Sequence, residues 1–523
     1  LELSGNNTYT SATTVSAGTL RVSHNNGLGS TAGGTTVNLN AILDLYSVTV
    51  GTEAVTLAGG TIRDITSSLS GDITLTADSI VSADTGDTLT LSGVISGAFA
   101  LTKTGAGTVI LGNASANSTY SGGTTVNAGT LKAGSSYAPF GSGAVTENSS
   151  GGVVIDLNGK TISNALTLYS AATPTVYALT DSTGGGTQQT GAVTLGSNVM
   201  LGLGASKTMT IAGAIGSGSA YTLTINNGTD TGRVVFSGNN TYTSATTISS
   251  GTLQVSGSGT LGNNANALTI DNATLDLQKS VTVGSLSMTG TSPAITNTTG
   301  TSSLVVSGTS TLKGNITTSG VQTYSGAVTL GGATVINAGS GDVSFGSTTD
   351  GANTLSITTT GGTSFTGAIG TTPLTGLTIS TATLTAHAIT LASSNAISIT
   401  NSGAGTIDGI IAGTGVTLTK AGAGTLTLSG TNTYTGATTI SAGVLRAANA
   451  AALGTTDSGT TVADGAALEL SGGITFNAEA LTLNGTGISS GGALRNVSGA
   501  NTYQGAITLA SAARINSDTT STL

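Results

Sequence analysis

Asp84 and Asp87 stand three residues apart in SADTGDTLTL, and Arg63 and Asp64 are neighbours in TIRDIT. Two carboxylates held at a fixed separation are what a glycosidase needs on either side of a scissile bond. Sugar-cleaving sites of that kind also use aromatic platforms, and this chain has no Trp and 3% aromatic residues. These charged residues therefore read as corner residues that keep the surface solvated. The two histidines, His24 and His387, are isolated in the sequence, and no serine nucleophile stands in a recognisable setting with either. Both read as surface coil residues. Lys103 and Lys420, each the third residue of an LTK, read as solvated corner lysines.

Gly257, Gly259 and Gly262 in GSGTLG match the GxGxxG spacing and follow the strand-like LQV. The next segment, ALTIDNATLDL from Ala267, alternates like a strand, so no helix dipole stands behind these glycines to hold a pyrophosphate. In a chain with 81 Gly such a match arises by chance. Gly341-Asp342 and Asp350-Gly351 are isolated pieces of what a calcium-binding β-roll repeats as a tight array. They leave room for weak surface Ca²⁺ contacts at most. The expectation is no catalytic residue, no cofactor-binding residue, no metal ligand and no cofactor.

The elements that would have to position any chemistry are short. The chain has 523 residues, 4 Pro, no Cys, 37% hydrophobic and 7% charged residues. Length alone allows three or four domains. Disorder goes with high charge and few β-branched residues, the reverse of this composition. Polarity comes instead from Thr, Ser and Asn, which suit a pleated surface, among regularly returning Val, Ile and Leu. The net charge is −9 and the 13 basic residues are scattered singly, which argues against a nucleic-acid partner. No run of 18 apolar residues exists, so no membrane-spanning helix is expected. The chain starts at Leu1 without a charged n-region and apolar h-region, so no signal peptide is read. Without Cys there are no disulfides or thiolate metal sites, which is compatible with secretion.

The stretch Leu418–Arg446, LTKAGAGTLTLSGTNTYTGATTISAGVLR, contains three alternating runs separated by Gly and Asn. Period two marks half-buried strands, and these breaks mark tight turns. It recurs as Leu101–Lys132, as Leu223–Val255 and, lacking its first half, as Leu1–Val22. Its tyrosines, Tyr9, Tyr120, Tyr242 and Tyr434, lie 111, 122 and 192 residues apart. Between copies come AILDL, VVIDL, ATLDL and AALEL, and Gly505–Leu523 aligns with Gly71–Leu89. The modules run approximately 1–100, 101–222, 223–320 and 418–523, with an irregular insert at 321–417. Self-similarity on this scale marks a solenoid or array. No Pro-rich or charged boundary separates small sandwiches, so a continuous parallel β-helix is expected, each coil burying its inward side chains against the next. Roughly 20 residues per coil give about two dozen coils and, at about 4.8 Å per strand, a single elongated rod on the order of 120 Å long.

LTKxGxGTLxLSGxNTYxGxTTxxxGxL, as in Leu418–Leu445 and Leu101–Leu131, resembles the autotransporter-associated β-strand repeat, or passenger-associated transport repeat. The resemblance implies an all-β fold, a right-handed parallel β-helix (β-solenoid), exposed on or released from a Gram-negative cell surface. It implies the passenger of a longer chain whose separate C-terminal β-barrel crosses the outer membrane; this sequence shows no such barrel segment.

Two non-enzymatic functions follow as expectations. The first is an extracellular structural rod, an adhesin stalk, surface fibre or biofilm matrix component, that self-associates. The chain starts and stops in mid-repeat, so its partners are expected to be other copies of itself or flanking repeats that pair with the truncated coils. The second is a ligand-binding solenoid face for surface glycans or, through in-register Thr ladders, for ice; a polysaccharide-acting β-helix enzyme is the remaining alternative. If function is localised, it is expected where the pattern weakens, around Val321–Gly415, or beyond the chain's ends.

Overall fold

A computed structural model describes all residues except 150, 151, 171–175 and 186. Among the described residues the chain forms sixty-two short strands and a single 3-10 turn, Ile488–Ser490. Ladders between successive strands are parallel, and each strand pairs with the one a turn earlier and the one a turn later. One turn takes from 17 residues, Leu374 to Leu391, to 27, Leu166 to Val193. The fold is an all-β parallel β-solenoid of about 24 turns, as the alternating runs predict. Its contacts divide it into two units, Leu1–Asn266 and Ala267–Leu523.

In the first unit an eleven-stranded sheet leads from Glu2–Leu3 through Thr19–Val22, Ile42–Tyr46, Thr61–Ile65, Ser79–Ala83 and Leu101–Thr104 to Ile215–Ser217. A five-stranded sheet, from Thr13–Val15 to Ile95–Ser96, forms another face. A further ladder includes Ser67–Leu69, Thr88–Leu91, Thr108–Leu111 and Gly129–Ala133. Alternation decides which side chains enter: in Thr108–Leu111 the valine and leucine are buried and the flanking threonine and isoleucine are half-buried. Because the stacking is in register, inward residues form columns. Leu20, Leu43, Ile62 and Val81 make one, each at most 5% exposed. Each such side chain contributes about 1.5–3 kcal/mol by leaving water.

In the second unit a twelve-stranded sheet runs from Val281–Val283 to Ile515–Ser517. The longest strands, Ser310–Thr317 and Val328–Asn337, belong to an adjoining ladder. Within residues 321–417, irregular as sequence, Ile336, Ile357, Ile379 and Ile399 form one buried column, while the ladder between Ile369–Leu374 and Ile389–Leu391 carries a register shift. Tyr324, Phe345 and Phe365 form another, with ring centroids 5.2 and 4.6 Å apart. No helix of the described residues is long and apolar enough to cross a membrane.

Candidate functional site

The best-preserved motif of the sequence carries the most unusual side chains. Leu101 and Lys103 are two residues apart on a strand, as are Leu418 and Lys420, so each pair shares a face. That face is the inner one. Lys103 stands in register between Val81 and Val126, and Lys420 between Ile399 and Ile440, and both lysines are fully buried. The expectation of solvated lysines is thereby corrected. Their aliphatic stems continue the apolar columns, and their ammonium groups reach the corner. Lys103 Nζ donates to the carbonyls of Thr104 at 3.0 Å, Gly105 at 2.5 Å and Gly107 at 2.8 Å. Lys420 Nζ donates to Ala421 at 2.7 Å, Gly422 at 2.9 Å and Ala442 at 3.2 Å. All three ammonium protons are thus used. Burial pushes both groups down to about 8, while the carbonyl cup stabilises the charged form. At other corners an amide does the same work: Asn401 Nδ2 donates to Gly403 and Thr425, and Asn226 Nδ2 to Gly232 and Ser250.

The second half of the motif, NTYxGxTT, is a buried latch. The Tyr120, Tyr242 and Tyr434 hydroxyls lie 2.6, 2.7 and 2.6 Å from the hydroxyls of Thr124, Thr246 and Thr438, four residues on. Burial pushes these phenols up. Tyr9 makes the same contact with Thr13 at 2.9 Å but is 38% exposed. One turn later the chain always places Gly: Gly29, Gly141, Gly262 and Gly454, all with positive φ. A Cβ at any of them would lie 2.3–2.6 Å from the tyrosine carbonyl oxygen. Asn432 ties three turns together, accepting from Ile411 N–H at 2.8 Å and donating to Ala452 O at 2.6 Å; Asn240 repeats this between Ile215 and Thr260.

Charged residues on the outer face also stack. Asp44, almost fully buried, accepts from Arg21 Nε at 2.8 Å and Arg63 Nε at 3.0 Å, one turn to either side. Burial would raise its carboxyl, but the two guanidinium groups hold it below the usual range. Glu469 accepts from Arg446 at 2.7 and 3.0 Å, and Arg495 pairs with Asp518 at 2.8 and 2.9 Å. Lys132 and Asp156 pair at 3.2 Å. The acids are those of the AILDL, VVIDL and AALEL segments. Each meets a base one turn earlier, in TLRV, TLKA and VLRA.

The remaining candidates fall as follows. Asp84 is exposed and Asp87 half-buried, the latter accepting from Thr66 Oγ1 at 3.1 Å. Asp64, expected at the surface, is fully buried instead, because it alternates inward beside Ile62; it caps Ser67 N–H at 2.8 Å. Burial pushes its carboxyl up to about 6. His387 is not isolated: its Nδ1 lies 2.5 Å from Asp408 Oδ1, one turn on, with both side chains about half exposed. His24 Nδ1 accepts from the Asn26 N–H at 3.1 Å. Gly257 and Gly259 lie in turns, and Gly262 serves Tyr242. Asp342 accepts from Gly362 N–H at 2.6 Å, and Asp350 from Thr371 Oγ1 at 2.6 Å and Thr372 N–H at 3.1 Å. No group of three His, Asp or Glu among the described residues is arranged to hold a metal.

Buried columns, a carbonyl cup filled by lysine in two copies and a tyrosine latch in every copy mark a β-solenoid with an internal sequence repeat. The passenger-associated-transport-repeat model matches residues 1–22, 101–133, 227–255 and 418–447, the copies that carry the lysines and tyrosines just described. These four segments are similar to passenger-associated transport repeats and make up less than a quarter of the chain. It is 35% identical over 272 residues to the Adhesin BmaC autotransporter of Brucella suis biovar 1 (strain 1330), an alignment that covers 48% of this chain and 6% of that protein. The chain thus spans only a small part of that relative's length. No solved structure matches.

Proposed function

We propose that the chain is a non-enzymatic structural part of an adhesin-like surface passenger, displayed outside a Gram-negative outer membrane. The observation that carries this reading is the passenger repeats' coincidence with the parts of the solenoid whose polar groups are consumed in holding turns together. Each of these polar groups is already engaged: Lys103, Tyr120 and Tyr434 within their own turn, Lys420 and Asp44 also by an adjoining turn. Similarity to an autotransporter adhesin supports surface display. In this reading the solenoid is a stalk that associates with other copies of itself or with flanking repeats, presents a face to surface glycans, and uses no cofactor and no nucleic acid.

Latex beads coated with the purified chain test it. Coated beads should attach to epithelial monolayers or extracellular matrix several-fold more than beads coated with heat-unfolded chain. The same preparation should leave a panel of polysaccharides uncleaved. Attachment equal to that of the unfolded control, or turnover of any polysaccharide, overturns the proposal.

A further inference from the structure

Asparagine followed by glycine occurs four times, at Asn26-Gly27, Asn158-Gly159, Asn227-Gly228 and Asn484-Gly485. Such a pair can react with itself. The glycine nitrogen can attack the side-chain carboxamide carbon of the asparagine before it, closing a five-membered ring with no second molecule to bring up. Glycine offers no Cβ to obstruct the approach. Two groups must be available: the glycine N–H, which has to lose its proton, and the carboxamide, which has to swing over its own backbone. At three of the pairs the fold holds both. Gly27 N–H donates to His24 O at 2.8 Å, and Asn26 Nδ2 to Asn6 Oδ1 at 2.9 Å. Gly159 N–H donates to Asp181 Oδ1 at 2.8 Å, and Asn158 Nδ2 to Ala133 O at 2.8 Å. Gly485 N–H donates to Ser511 Oγ at 2.9 Å, and Asn484 Nδ2 to Val462 O at 3.0 Å.

Asn227-Gly228 is held at neither point. Among the described residues no partner meets the Asn227 carboxamide or the Gly228 N–H, and both residues are exposed. Gly228 has φ 49° and open space where a Cβ would stand. The anchors lie on either side. Asn226, fully buried, donates to Gly232 O at 2.9 Å and Ser250 O at 3.1 Å, and Asp230 accepts from the Tyr177 hydroxyl. We propose that Asn227 is a self-modification site, at which the folded chain deamidates. The Gly228 nitrogen gives its proton to solvent and bonds to Asn227 Cγ. The Cγ–Nδ2 bond then breaks, and the amide leaves as ammonia with a proton from water. A second water opens the ring, and nothing is oxidised or reduced. Cleavage of the new N–Cγ bond leaves aspartate; cleavage of the original peptide bond leaves a β-linked aspartate. Either product adds one negative charge to a chain of net charge −9, three residues from Asp230. The β-linked form also lengthens the backbone by one carbon directly after Asn226.

Peptide mapping by mass spectrometry tests this on the full chain, incubated at mildly alkaline pH folded and, in parallel, in urea. In the folded chain the peptide carrying Asn227 should convert about tenfold or more faster than those carrying Asn26, Asn158 and Asn484, where attack must first break hydrogen bonds. In urea the four should convert at comparable rates. A methyltransferase specific for β-linked aspartate should label the Asn227 product. Gly228→Ala, whose Cβ meets open space, should slow the conversion severalfold while circular dichroism stays unchanged, and Asn227→Gln should abolish it. Equal rates at the four sites of the folded chain, a faster site among the other three, or conversion of Asn227 only in urea overturns the proposal. So does an Asn227 advantage that persists undiminished in urea, or a rate indifferent to Gly228→Ala.

Discussion

Gly454 occupies the space that Tyr434, one turn earlier, leaves for it: a Cβ on Gly454 would lie 2.6 Å from the tyrosine carbonyl oxygen and 2.9 Å from its ring. Gly454 also has φ +94°. Gly454→Ala should therefore destabilise the second unit by about 3 kcal/mol, combining left-handed strain with a clash against backbone. Gly465→Ala isolates the first component, since Gly465 has φ +79° and open space around it; about 1 kcal/mol is expected there. Urea unfolding of both variants reads the difference, and equal losses would show that the tyrosine contact is irrelevant.

Lys420→Met keeps the aliphatic stem in the Ile399–Ile440 column and removes the ammonium. Three corner carbonyls lose their donor, so a loss of about 2–4 kcal/mol is expected from unsatisfied buried acceptors. Lys420→Asn, which copies the Asn401 corner, should recover part of that loss. A Lys420→Met variant as stable as the parent would mean that the carbonyls find other donors.

The buried ionisable groups shape stability against pH. Burial lifts Glu479 from 4.5 to about 7 and Asp64 from 3.8 to about 6. Their neutral forms favour the fold, so this contribution is complete below the unfolded values and is lost as pH rises through about 6 to 7. Lys103 and Lys420, lowered to about 8 from 10.5, act oppositely: stability returns as pH rises from about 8 toward 10.5, where the folded chain binds fewer protons than the unfolded one. Melting temperature should pass through a minimum near pH 7–8, and Glu479→Gln should flatten the acidic limb. A monotonic rise from pH 5 to 7.5 would contradict this.

Asp44→Asn should cost the first unit about 1–3 kcal/mol, because it leaves Arg21 and Arg63 facing one another across an uncharged amide. Arg21→Gln should cost less than about 1 kcal/mol, since Arg21 is well exposed and Asp44 keeps Arg63. Thermal melts at low and high salt check both, and a larger loss for Arg21→Gln would invert the assignment.

The strands, their corners and the parallel stacking were legible because alternation and Gly or Asn breaks are local signals. The burial of Lys103 and Lys420 was legible too, from their two-residue spacing to Leu101 and Leu418, but the habit of placing lysine in water overrode it. The glycine partners of Tyr9 and Tyr434 carry a weaker signal, an LG dipeptide that ends 20 residues later. Arg446 and Glu469 could not be paired by inspection, since turn length varies from 17 to 27 residues and only the register brings them together.

Lysines set into columns of valine and isoleucine also bear on how such a chain finds its fold. Strands that all read Thr-Leu-Thr-Leu stack on one another almost equally well at many offsets, so apolar contact says little about which turn belongs on which. A slip of the next turn would carry the Ala442 carbonyl away from Lys420 while Ala421 and Gly422, in its own corner, stay with it, leaving one ammonium proton unpaired in a buried place at a cost of about 1–3 kcal/mol. Lys420 and Asp44, whose partners lie on adjoining turns, thus act as alignment marks, telling one near-identical turn from the next during winding.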